Sequence, residues 1–183
     1  SETCSRYLIL ISSTSIGRYI LERELQKISK TSYYFIGSQF KNDKLSQEYT
    51  YKKLRRIINH VENGDFIIME NLDGIYPSLY DLFNLNFEKK GENDLCVKIT
   101  IGMVNNSNLK VGNTFRCAIL LHNDNILNQD PPFLHRFEKQ FVPFSFLLDE
   151  TKIKKGEEIF LFFKDLMTLD ELFINNCLIE FDN

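Results

Sequence analysis

The segment Asn63-Gly64-Asp65-Phe66-Ile67-Ile68-Met69-Glu70-Asn71-Leu72-Asp73-Gly74 sets four unbroken apolar residues, two of them β-branched, between two groups of turn residues. A run this short and this apolar predicts a strand buried on both faces, as in a parallel sheet. Open α/β proteins place their chemistry at the C-terminal ends of such strands. Here that end carries Glu70-Asn71, where phosphate-binding ATPases carry acidic residues that hold magnesium and orient water. The question the segment poses is whether a nucleotide-hydrolysing site survives around it.

Working outward, Tyr7-Leu8-Ile9-Leu10-Ile11 predicts a second buried strand, followed by Ser12-Ser13-Thr14-Ser15 and a helical pattern with Ile16, Tyr19, Ile20, Arg23 and Leu25 on one face. Ser15 is placed to cap that helix. Strand, short polar turn and helix is the setting of a phosphate-binding loop. Yet Gly17 is its one glycine, and Arg18 belongs to no lysine motif. A phosphate cradle needs glycines so that successive N–H groups converge on one anion, and a lysine for the terminal phosphates. Two readings stand: a plain capping turn, or a weak anion nest at a helix N-terminus.

Tyr33 to Gly37 predicts a third strand, Ser38 to Gln47 a polar loop, and Glu48 to Glu62 a helix with Tyr49, Leu54, Ile57, Ile58 and Val61 inward. Lys52, Lys53, Arg55 and Arg56 then read as a solvated face. Strand, helix, strand, helix, strand argues for right-handed parallel crossovers. Beyond Asn71 the pattern predicts a helix from Tyr76 to about Phe87 with Pro77 in its first turn. A surface loop follows at Lys89–Asp94, an exposed strand at Cys96–Ile101, a turn at Asn105–Asn108 and a returning arm at Leu109–Val111. Phe115 to Leu121 is a further buried strand, ending in His122-Asn123-Asp124. Pro131 to Lys139 reads as a helical turn containing Arg136, and Phe141 to Phe146 as an edge strand shortened by Pro143. The Phe- and Leu-rich tail from Ile153 reads as two helices, with a capping box at Thr168–Glu171 between them.

Bulk properties narrow the function classes. A chain of 183 residues is one domain with at most a small appendage. Its net charge of -3 gives no reason to expect nucleic-acid binding. Cys4, Cys96, Cys117 and Cys177 form no C-x-x-C pair and read as reduced, buried thiols of an intracellular, cytoplasmic protein. His60, His122 and His135 show no convergent metal spacing. No apolar run approaches the ~18 residues of a membrane span, and no Ser-His-Asp or Cys-His arrangement is legible.

A more specific signal lies in Asn71-Leu72-Asp73-Gly74-Ile75-Tyr76-Pro77-Ser78-Leu79-Tyr80-Asp81-Leu82-Phe83-Asn84. With Gly37-Ser38-Gln39-Phe40, Glu48-Tyr49-Thr50, Val111 to Arg116 and Pro132 to Lys139, it resembles the mysterin-like family of giant, dynein-like AAA+ E3 ubiquitin ligases. The pieces keep one order over residues 6 to 150. The resemblance implies a P-loop NTPase fold of the AAA+ type. That is a three-layer α/β sandwich with a five-stranded parallel sheet in the order 5-1-4-3-2, a hairpin inserted at residues 96 to 112, and C-terminal helices. It implies a degenerate large subdomain over residues 1–150 and the start of a helical lid over 151–183.

Carried residue by residue, the phosphate-loop position is Ser12, Ser13, Thr14, Ser15 and Gly17, followed by Arg18, without the lysine. Glu70 and Asn71 stand at the magnesium and water positions. Asn123, or His122, stands at the polar sensor position and Arg136 at the arginine that reaches a neighbour's nucleotide. Only Asn123 and Arg136 keep the expected chemistry. The resemblance therefore implies a structural unit of a much longer chain, with no catalytic residue or metal of its own. ATP and magnesium would lie in neighbouring AAA+ units, and its partners would be those units and the ligase module. The alternatives are an α/β interaction domain without nucleotide history, told apart by strand order, and a nucleotide-binding AAA+ unit with an atypical loop.

Overall fold

The computed structural model describes residues 7–14, 16–90, 94–100, 106–143, 148 and 150–179. The chain runs through β1 (Leu8–Ser12), α1 (Ile16–Lys27), β2 (Ser32–Ile36), α2 (Lys41–Leu45), α3 (Gln47–Asn63) and β3 (Phe66–Glu70). A 3-10 turn at Tyr76–Leu79 continues into α4 (Tyr80–Phe83), followed by β4 (Glu88–Lys89), β5 (Leu95–Thr100), β6 (Asn106–Val111) and β7 (Arg116–His122). A second 3-10 turn (Asn123–Asn128), α5 (Pro131–Leu134), β8 (Glu138–Val142) and α6 (Glu150–Ile179) complete it. Ser1–Val142 and Pro143–Asn183 form two separate compact units.

The first unit is built on an all-parallel sheet of five strands, ordered β2-β3-β7-β1-β8. With all eight strands numbered this is not 5-1-4-3-2. Three strands of a second, antiparallel sheet, β4-β5-β6, fall between β3 and β7 in the chain. Counted within the five-stranded sheet alone, the row reads 5-1-4-3-2 from the β8 edge. The pleat sends alternate residues to opposite faces. Ile9, Ile11, Ile67, Met69, Cys117, Ile119 and Leu121 pack under Leu54, Ile57 and Val61 of α3 and Leu79, Leu82 and Phe83. Leu10, Ile68 and Leu120 point the other way and meet Leu21 and Leu25 of α1. Helices on both faces explain why the central strands are apolar throughout.

Several expectations shift. Tyr19 is exposed, because α1 turns Leu21 and Leu25 to the sheet instead. The loop after β2 contains the short helix α2. The helix at Tyr76 ends at Phe83 rather than Phe87: the N–H of Leu85 bonds the Leu82 carbonyl and that of Asn86 the Asp81 carbonyl, which closes the helix. β5 is not an exposed strand; Cys96, Val97 and Ile99 are buried against the core. The returning arm begins at Asn106, inside the expected turn. The last strand ends at Val142, one residue before Pro143, and Phe144–Phe146 lie outside the described residues, as does Ser15 and part of the Lys89–Asp94 loop. Arg136 follows α5 instead of lying within it.

In the second unit α6 is one helix of 30 residues, not two. No proline or glycine interrupts the chain between Glu157 and Ile179, so nothing breaks the helix at Thr168. Ile159, Phe160, Leu161, Phe162 and Phe163 are exposed on it. No helix among the described residues is long and apolar enough to cross a membrane.

Candidate functional site

The C-terminal edge of the parallel sheet carries two clefts, one on each face. The smaller, about 150 Å³, is lined by Ser12, Thr14, Arg18, Glu70, Leu120, Leu121 and His122. It lies where a phosphate loop would, between the ends of β1, β3 and β7 and the start of α1. Counted from Gly17 in the frame G-x-x-x-x-G-K-[ST], the four fixed positions fall on Ser12, Gly17, Arg18 and Tyr19. Arg18 thus occupies the lysine's place, a signal available in the sequence once Gly17 is used as the anchor. Gly17 is buried, and a Cβ there would stand 3.1 Å from both Leu10 Cδ2 and Ser12 Oγ. The glycine lets the helix start close against the strand.

The Ser12 and Thr14 hydroxyls are turned to the loop itself. Ser12 Oγ donates to the Thr14 carbonyl at 2.6 Å, and the N–H of Ile16 reaches Thr14 Oγ1 at 3.4 Å. The Ser13 carbonyl faces His122 Nε2 at 2.7 Å, while His122 Nδ1 accepts from the N–H of Asp124 at 3.3 Å. The imidazole is thus held between the Ser13 carbonyl and the N–H of Asp124. His122, and not Asn123, is the polar residue at the end of β7 that lines this cleft.

Glu70 and Arg18 meet through a residue the sequence did not single out, Tyr34. β2 and β3 pair so that Ile36 stands beside Glu70, which brings Tyr34, two residues back, onto the same face. The Tyr34 hydroxyl donates a hydrogen bond to Glu70 Oε2. Arg18 Cζ lies 3.9 Å from the Tyr34 ring centroid, and Arg18 Nε donates to Glu22 Oε1 at 2.8 Å. Burial, and then the bond to Glu70, push the Tyr34 hydroxyl well above the usual tyrosine range. The bond to Glu22 raises the Arg18 guanidinium further, with burial opposing it. The cation and the carboxylate of this cleft are therefore both engaged by neighbouring side chains.

Asn71 does not join Glu70. The chain turns at Asn71 through a left-handed conformation, φ 54°, and Asn71 faces the second cleft. That cleft, about 600 Å³, also takes in Gln39, Lys44, Asp73, Tyr76 and Phe133. Its lining contains one lysine against two carboxylates, Asp73 and Asp130, which does not favour an anionic ligand. Arg136 is on neither cleft: it lies over Tyr80, Cζ 4.0 Å from the ring centroid. Among the described residues no group of three or more His, Cys, Asp or Glu side chains could hold a metal ion. Cys96 and Cys117 are buried free thiols, and burial holds the Cys117 thiol far above the range of a reactive one.

The sequence profile described as RNF213 AAA domain matches residues 1–148. The chain belongs to the RNF213 AAA-domain family. It is 28% identical to human "E3 ubiquitin-protein ligase RNF213" over 160 residues, which is 85% of this chain and 3% of the human protein. It is 27% identical to the mouse protein of the same description over 147 residues, 79% of this chain and again 3% of the relative. In this AAA domain of the RNF213 type, Arg18 and Glu70 both line the smaller strand-end cleft and both contact Tyr34.

Proposed function

We propose that this chain is a structural AAA+ unit of a larger RNF213-like ubiquitin ligase, one that does not hydrolyse nucleotide. Its work is mechanical: it holds the geometry of a ring of AAA+ units and passes motion between hydrolysing neighbours and the ligase module. ATP and magnesium belong to those neighbours. The observation that carries the reading is the set of contacts joining Arg18 to Tyr34 and Tyr34 to Glu70. The only cation among the cleft's lining residues and the carboxylate that a hydrolytic site would give to phosphate and magnesium are spent on each other through Tyr34. The cleft's 150 Å³ is also below the roughly 300–1,000 Å³ of pockets that enclose drug-sized ligands.

A second reading, a unit that binds nucleotide without hydrolysing it, draws on Arg18 standing in the lysine frame and on a sheet edge of the right construction. Phosphate release from magnesium-ATP by the isolated chain tests the main reading. No rate above that of buffer is expected; turnover that disappears in Glu70→Gln would overturn it.

A further inference from the structure

The larger strand-end cleft, about 600 Å³, lies across the sheet from the phosphate-loop position. Two of its walls are far apart in sequence. Gln39 and Lys44 come from the loop and short helix after β2, and Asn125, Asn128, Gln129 and Asp130 from the turn after β7. The three most exposed large apolar side chains among the described residues stand on these same two segments: Phe40 at 78%, Leu45 at 74% and Leu127 at 96%. Each is the direct chain neighbour of a lining residue, Gln39, Lys44 and Asn128 respectively. Single apolar residues on a surface are ordinary, but three gathered about one polar cleft have the make-up of a protein-binding surface.

The lining indicates the class of ligand. Gln39, Asn71, Asn125 and Asn128 are exposed, and their carboxamides hold no hydrogen bond to the described residues. Each offers a donor and an acceptor, which is what a peptide group requires of its partner. The aromatic faces are already covered: Tyr76 is stacked with Phe133 at 5.0 Å, and the Arg136 guanidinium lies over Tyr80. A nucleobase, which binds by stacking, finds no platform there. Charge sets the sign of the ligand. Asp130 stands at the N-cap of α5 yet makes no capping bond, Pro132 having removed one of the two N–H groups that such a cap would use. Asp73 has the Gln129 amide at 3.4 Å. Both aspartates are exposed, and neither forms an ion pair among the described residues.

We propose that this cleft docks a partner polypeptide in extended form, one that places a lysine or arginine between apolar side chains. The cation meets Asp73 and Asp130, the apolar side chains cover Phe40, Leu45 and Leu127, and the peptide groups meet the carboxamides. Only an extended segment has its peptide groups free to pair in this way. Every group named is exposed, so the partner reaches it without a rearrangement of the fold. An acidic segment is disfavoured, because Lys44 is the single lysine or arginine against two carboxylates.

The side-chain amide signals of Gln39, Asn71, Asn125 and Asn128 in the ¹⁵N spectrum of the intact chain read the cleft directly. The probes are the peptide Ac-Leu-Ala-Lys-Ala-Leu-NH2, the same peptide with Glu for Lys, and the same peptide with Ser for both leucines. The lysine–leucine peptide is expected to move these signals saturably, with half-saturation at least about tenfold below that of either control. Asp130→Asn should narrow its advantage over the glutamate peptide, and Leu127→Ser its advantage over the serine peptide. The unaltered chain carries the main measurement, so a variant that does not fold leaves the test intact. An advantage below about tenfold over either control, or no saturable shift with the lysine–leucine peptide, would overturn the proposal.

Discussion

The guanidinium of Arg18 stacks 3.9 Å from the ring centroid of Tyr34, and the same tyrosine donates its hydroxyl to Glu70. One aromatic side chain on the second strand thus contacts both Arg18 and Glu70 of the smaller strand-end cleft.

Removing the hydroxyl separates its two roles. Tyr34→Phe keeps the ring under Arg18 and deletes the bond to Glu70, at an expected cost of about 1 kcal/mol for a half-buried pair. The tyrosine proton is held more tightly in the folded chain than in the unfolded one. Its contribution is therefore complete below the unfolded tyrosine value of about 10 and is lost as pH rises toward the folded value. Urea midpoints should differ between the two proteins at pH 8, and the difference should start to shrink above about pH 10; a constant difference would show that the hydroxyl does not act through this proton.

Gly37 and Gly74 bracket Asn71 but are expected to respond oppositely to a methyl group. A Cβ at Gly37 would fall 1.6 Å from the Asn71 carbonyl oxygen, a backbone atom, whereas at Gly74 nothing lies within 4 Å. Gly37→Ala must push β2 away from β3, whose pairing continues through the Gly37 N–H to the Glu70 carbonyl at 2.8 Å. A loss of about 3 kcal/mol is expected there, against no more than about 0.5 kcal/mol for Gly74→Ala. Thermal unfolding of the two variants checks the contrast.

Phe133 is the centre of an aromatic cluster, stacked on Tyr76 at 5.0 Å and edge-on to Phe137 at 5.2 Å, and is 2% exposed. Phe133→Ala should cost about 3–5 kcal/mol. Leu127, 96% exposed a few residues earlier, should tolerate alanine within about 0.5 kcal/mol. Similar losses at both positions by denaturant titration would contradict the packing described.

The exposed Ile159 to Phe163 run of α6 is more apolar surface than an isolated helix normally shows to water. Full burial of each large side chain contributes roughly 1.5–3 kcal/mol, so the intact chain should associate with rising concentration. Sedimentation of the intact chain and of one lacking residues 157–183 tests this. Concentration-independent, equal behaviour of the two would remove any packing role for the helix.

What the sequence made legible follows the range of the forces involved. β1, β3 and β7 were readable because a strand buried on both faces writes itself as an uninterrupted apolar run, and α3 because Leu54, Ile57 and Val61 repeat at helical spacing. β8 was displaced because Glu138-Lys139-Gln140 carries no apolar signal; its pairing with β1 holds it there. The exposed reading of β5 missed that a second sheet covers the same core. At the site, Ser12, Glu70 and Arg18 were legible as positions. Tyr34 was not, since its contact with Glu70 spans 36 residues and exists only once β2 and β3 are in register.

Calorimetric titration of the isolated chain with ATP and with ADP, each in the presence of magnesium, bears most directly on the claim that the phosphate-loop cleft is closed by its own residues. The account predicts no saturable heat up to about 1 mM nucleotide. A stoichiometric site with a micromolar Kd, lost in Arg18→Ala, would contradict it.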